Sequence, residues 1–158
     1  MKLIGTAFLI SFFLVCKGQT ETNEIKKLVD SAISLKIEHI IKFATTPELK
    51  KRFLSDIYLI DEKDLPYLYS GTRYNVEFVF RNFKSRKNRN EVKKKITAWK
   101  IFTSLEANQF KVSIALLIIY YKKRAFWYLR DQVTEFAFEY NCERKKWEKI
   151  EAKSSRAK

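Results

Sequence analysis

Glycine is nearly missing from this chain: it occurs three times in 158 residues, and past Gly18 only Gly71 remains. Glycine-rich phosphate loops and dinucleotide-binding turns are thereby excluded, because both need several positions without a Cβ so that backbone N–H groups can close on a phosphate. Histidine occurs once, as His39, and cysteine twice, as Cys16 and Cys142. Zinc centres of the Cys and His type cannot be assembled from this chain alone, and any Ser-His-Asp or Cys-His mechanism would have to run through His39 with no Gly-x-Ser-x-Gly turn to present a nucleophile. No cofactor is expected. A disulfide framework is excluded as well, so the fold must rest on its core, for which 46% hydrophobic and 15% aromatic residues are ample.

Acidic residues are the next shortage. Lys and Arg number 32 against 18 Asp and Glu, a formal charge of +14. The amino end, with Lys2, the apolar run Leu3 to Val15 and Cys16-Lys17-Gly18 before Gln19, has the layout of a secretory signal cleaved after Gly18. A lipoprotein signal acylated at Cys16 is the competing reading, although Val15 stands where a small residue is wanted. The run is too short and too interrupted, by Gly5, Thr6 and Ser11, to cross a bilayer. Loss of residues 1–18 takes the charge from +14 to +12. An exported protein is therefore expected, in the periplasm, at the outer envelope or secreted, with no transmembrane span in the mature chain. Its charge favours anionic partners such as lipid headgroups, acidic polysaccharide or nucleic acid held without sequence-specific readout.

What is present reads as α+β. From Asn23 to Ala44, at about 100° per residue, Lys26, Asp30, Ser34 and Glu38 share one face and Leu28, Val29, Ile33, Ile37 and Ile40 the other. Lys36 and His39 break the apolar face one turn apart, which predicts that they are neighbours. Thr46-Pro47-Glu48 starts a second helix running to about Leu54. Asp56 to Ile60 reads as a short strand or an extended link and Asp61 to Pro66 as a polar turn. Gly71 is expected at a positive φ, and Arg73 to Phe80 as the first full strand. Arg81 to Lys95 reads as a solvated basic loop, with or without a helical turn. The spacing then predicts an antiparallel meander over Ile96–Phe102, Phe110–Tyr121, Arg124–Leu129, Val133–Tyr140 and Trp147–Ile150. Amino-terminal helices on a curved antiparallel sheet, a cone or half-barrel, follow. A single domain over 19–151 and a disordered tail over 152–158 complete the layout.

Candidate sites are few. The carboxylates Asp56, Asp61, Glu62 and Asp64 lack the alternating ligands and the glycine of a calcium loop, so no metal site is expected there. Glu135 and Glu139 read as an outer sheet face, and Cys142 as an incidental thiol in the turn Asn141 to Lys146. A cavity between the first helix and the sheet would be lined by Lys36, His39, Trp99, Tyr120 and Trp127, and would make the protein a non-enzymatic binder of an unknown small ligand. The alternative is an anion-binding surface made of Arg81, Lys84, Arg86, Lys87, Arg89, Lys93, Lys94 and Lys95.

The order of a long amphipathic helix, a capped short helix, a strand and a meander ending in Phe136-Ala137-Phe138-Glu139-Tyr140 and Trp147-Glu148-Lys149-Ile150 resembles the nuclear transport factor 2-like superfamily and its cystatin-like neighbours. That resemblance implies a sheet wrapped into a cone with a small-molecule interior, towards which Lys36 and His39 would point. Some members are isomerases or dehydratases, which gives a third reading with His39 as acid or base. The aspartate and tyrosine pattern of those enzymes has no positional match here.

Overall fold

The computed structural model describes the backbone of residues 4–71, 74, 76, 78–93, 95–106 and 108–156, and side chains from Asn23 onward apart from Arg52, Arg89, Glu91 and Arg156. The expected signal, with Lys2, Cys16 and Gly18, lies outside the described side chains, as do Lys94 and the side chain of Arg89. Three helices are described: α1 (Ile4–Phe43), α2 (Pro47–Leu54) and the single turn α3 (Arg89–Val92). The strands are β1 (Ile57–Ile60), β2 (Phe78–Val79), β3 (Ile96–Glu106), β4 (Gln109–Lys122), β5 (Ala125–Asn141) and β6 (Lys146–Arg156). Among the described residues they form one open sheet in the order β2-β1-β3-β4-β5-β6, with α1 packed on it. The fold is α+β, mostly antiparallel, and the sheet does not close into a barrel.

The α2 start is built as its sequence dictates. Pro47 follows Thr46, whose Oγ1 accepts the backbone N–H of Leu49 at 3.3 Å. Two expected strands are in fact one: β5 runs unbroken through Arg130 and Asp131, and the pairing steps from Leu116↔Gln132 to Leu117↔Arg130, so Asp131 is a bulge residue. Of the tail expected to be disordered over 152–158, residues 152–156 instead pair along β5, from Phe136↔Ala152 to Gln132↔Arg156, because the β5 edge supplies backbone partners that no composition argument sees.

The other departures concern the stretch between β1 and β3. These strands are parallel, with Ile57↔Thr97 through Ile60↔Lys100, so the chain must cross over between them. Thr72, Arg73, Asn75 and Glu77 lie outside the described residues. Of the expected Arg73–Phe80 strand, the described pairing is confined to Phe78–Val79, while Tyr74 turns away to donate its hydroxyl to Glu38 Oε1 on α1 at 2.5 Å. Gly71 is not at a positive φ. A Cβ there would fall on the ring of Tyr69, whose hydroxyl is 2.8 Å from Ser34 Oγ, so close approach is what calls for glycine. The polar stripe of α1 is thus partly clasped rather than solvated: Tyr67 also donates to Asp30 Oδ1 at 3.0 Å.

Two apolar clusters lie on the two sheet faces and are offset along β4. Phe110, Val112 and Ile114 pack under α1 with Val29, Ile33, Ile37, Trp99 and Phe136. Ala115, Leu117 and Ile119 pack on the opposite face with Tyr58, Phe83 and Val92. The switch from alternating to continuously apolar residues within β4 marks the overlap of the two covers. The second cover is the basic segment itself. Expected as a solvated loop, it sinks Phe83 and Val92 completely into the sheet.

Candidate functional site

Lys36 projects from α1 into the first cluster and is 5% exposed. Its Nζ donates to Thr134 Oγ1 at 2.8 Å and stands 5.3 Å from the centre of the Trp99 ring. Burial, with a neutral hydroxyl as hydrogen-bond partner, pushes its ammonium down to about 8. Lys36 and Trp99 are therefore brought together. His39 is not: it lies on the exposed side of α1 with its ring 4.5 Å from that of Phe43. The helix turns enough between the two positions to separate core from solvent. Tyr120 and Trp127 stack on each other, with near-parallel rings 6.5 Å apart, on the outer rungs of the β4–β5 hairpin and away from Lys36. The five residues expected around one cavity thus occupy three places.

The four carboxylates of the 56–64 stretch also part company. Asp61 caps its own turn through the N–H groups of Lys63 and Leu65, and Glu62 Oε1 accepts from Thr103 N at 2.8 Å. Asp64, at φ 62 and 8% exposed, accepts from Lys100 Nζ at 2.6 Å, Lys84 Nζ at 2.5 Å and the Tyr128 hydroxyl at 3.1 Å. Burial pushes its carboxyl up, but the hydrogen bonds and charges of the two lysines outweigh that and hold it below the usual range. The same contact raises Lys84. Lys84 is consequently an internal tether between the crossover and the sheet. These partners sit 20, 36 and 64 positions from Asp64, so no local pattern announces them. Among the described residues no group of three or more His, Cys, Asp and Glu is placed to hold a metal.

The remaining cations of the basic segment divide by position. Arg86, Lys87 and Lys93 are exposed on the outer side of the crossover. Arg81 and Lys95 instead converge on an open cleft of about 430 Å³ at one end of the sheet, together with Ser55, Asp56 and Thr97. Connectivity brings Asp56 and Lys95 together, since the parallel neighbours β1 and β3 begin just after them. Arg81, which follows β2 on the other side of β1, joins them as part of the cleft lining. Asp56 and Lys95 both adopt positive φ, 53° and 65°. The same end carries the β4–β5 hairpin, because Ile96 at the start of β3 pairs with Ile119 and the hairpin continues beyond it to Lys122↔Ala125. Its turn residues Lys123 and Arg124 add two more cations. Among the described residues Lys95, Lys122, Lys123 and Arg124 are joined to no carboxylate. Sequence reading missed the hairpin tip, although Lys122-Lys123-Arg124 between Tyr120-Tyr121 and Phe126-Trp127 is a visible basic turn between aromatic pairs.

What this end can do chemically is hold anions. Two cationic side chains and two hydroxyls, set against the single carboxylate of Asp56, leave the open cleft net positive and suited to a phosphate or sulfate group, and further cations lie at the same end for a second or third charge. Comparison with known proteins finds no family model, no curated protein and no solved structure that matches this chain.

Proposed function

We propose that this protein is a non-enzymatic binding module acting outside the cytoplasm, which engages an anionic, phosphate-bearing partner through the cationic end of its sheet. The observation that carries the reading is the convergence of Arg81 and Lys95 on the cleft with Ser55 and Thr97, beside the cationic β4–β5 turn. A ligand cavity under α1 has less support, since Lys36 is already engaged by Thr134 in the core and His39 faces solvent.

Inorganic polyphosphate is the probe, titrated at two salt concentrations bracketing about 0.15 M. The wild-type affinity falls with salt, as binding by charge neutralisation requires. Arg81→Ala combined with Lys95→Ala weakens binding about tenfold and flattens the salt slope by roughly two charges. Equal affinity and slope in the double variant would overturn the assignment of the cleft.

A further inference from the structure

The cationic end is also the end where the sheet bares an apolar face. Register places Tyr120 opposite Trp127 and Ile118 opposite Leu129, on the α1 side of the sheet. Trp127 is 51% exposed and Leu129 54%. The opposite side of the same hairpin is braced, with Phe126 against Phe83 at 5.5 Å and Tyr121 against Phe126 at 4.9 Å. The hairpin is thus a supported blade with one side packed and one side open.

Its tip is unusual for a two-residue turn. Lys123 and Arg124 both have positive φ, 52° and 63°, a conformation that asparagine and glycine adopt at little cost and long side chains do not. Two cations stand where the backbone favours Asn-Gly, a local cost that a functional demand on those side chains would offset. The three rungs from Tyr120 to Lys122 stand beyond the start of β3. At about 3.4 Å per residue they project roughly 10 Å.

We infer that the β4–β5 hairpin is a wedge for an anionic lipid bilayer, Trp127 and Leu129 entering the headgroup and acyl boundary while Lys122, Lys123 and Arg124 meet lipid phosphates. This deepens the binding proposed for the cationic end and rests on it. Trp127 lies in the projecting part, whose length matches the depth of about 5–10 Å to which interfacial segments sink, and Leu129 extends the same open face beside β3. An aromatic pair two rungs from turn cations has the composition of membrane-interface anchors. The indole N–H of Trp127 already donates to Lys122 O at 3.3 Å, so the ring enters without leaving that donor bare. Nucleic acid fits less well. Trp127 and Tyr120 lie nearly parallel to each other at 12°, and the rest of the face, Ile118 and Leu129, is aliphatic and offers no surface for base stacking.

The test is sedimentation of the full chain with phosphatidylcholine vesicles, with and without phosphatidylglycerol, alongside polyphosphate titration. The wild type sediments with the anionic vesicles and not with phosphatidylcholine alone, and lipids brominated on their acyl chains quench its tryptophan fluorescence. Trp127→Ala with Leu129→Ser lowers vesicle binding about tenfold and leaves polyphosphate affinity within a factor of two. Lys123→Asn with Arg124→Gly melts no lower than the wild type, because it relieves the turn, yet binds anionic vesicles more weakly, which separates lost function from lost folding. Polyphosphate binding without vesicle binding would overturn the wedge and leave the anion-binding reading standing. Tryptophan quenching by single-stranded oligonucleotide without vesicle binding would also overturn it, in favour of a nucleic-acid partner. Loss of both kinds of binding in the wild type would remove both readings.

Discussion

Lys36 shows how one residue can be conspicuous in sequence and yet belong to the core. Its ammonium has left water for a site between Trp99 and Thr134, and the folded protein holds it near 8 rather than 10.5. Below about pH 8 both folded and unfolded chains carry the charge, and the folded state bears the full desolvation cost. Between about 8 and 10.5 the unfolded chain binds the extra proton, so stability rises with pH through that window. Lys36→Met removes the cost at the expense of one hydrogen bond to Thr134. The variant is therefore expected to melt several degrees higher than the wild type at pH 7, from a gain of at most about 3 kcal/mol, and the gap is expected to shrink by about pH 9.5. Thermal melts of both proteins at the two pH values check this; a constant gap, or a destabilised variant, would show that the buried charge carries no such cost. His39, one turn along the same helix, has no part in it. The two residues look equivalent by spacing, and only the packing of α1 on the sheet separates them.

At the scale of elements, the Arg81–Lys95 segment behaves least as its composition suggests. Blocks of like charge are ordinarily solvated, and most of these cations are indeed exposed. Yet Phe83 and Val92 are enough to fix the segment across the second sheet face, and Lys84 bonds to Asp64 to hold it there. Phe83 also braces the hairpin through Phe126 and stands edge-on to Tyr58 at 6.3 Å. Phe83→Ala is accordingly expected to cost about 3–5 kcal/mol in urea unfolding, the range for emptying a phenylalanine site in a core. A loss below about 1 kcal/mol, the level of surface changes, would mean that the segment is the loose loop its charges suggest. The long strands were more legible. Alternation located β3, β4 and both halves of β5, but not the continuity of β5, because a bulge at Asp131 shifts the face of every residue after it and imitates a break.

For the whole molecule the governing feature is where its excess positive charge sits. The loops at the far end of the sheet mix signs, with Glu148 meeting Arg144 at 3.0 Å and Lys146 at 3.4 Å. At the end with the cleft and hairpin, Lys95, Lys122, Lys123 and Arg124 are joined to no carboxylate among the described residues. A net charge that is uneven in this way attracts polyanions from one direction and orients the docking molecule. Export is the setting proposed for that function, and it makes a prediction of its own. Protein recovered from its host's envelope fraction should have a mass beginning at Gln19, or one carrying acyl chains at Cys16. A full-length mass beginning at Met1 would overturn cleavage after Gly18 and redirect the search for its partner.

The sequence by itself determined the class of fold. Periodicity of apolar residues is set by which face of an element meets the core, so α1, α2 and the strands of the meander can be read from local spacing. Shortages of glycine, histidine and cysteine likewise excluded whole chemistries without any coordinates. Only the tertiary structure decided that Lys36 is buried while His39 is not, that Asp64 gathers two lysines and a tyrosine, and that Arg81, Lys95 and the Lys123-Arg124 turn share one end. Apart from Lys36 and His39, those positions are far apart along the chain. Their meeting follows from strand order, from the parallel crossover between β1 and β3 and from the β4–β5 register, none of which leaves a trace in the residues nearby.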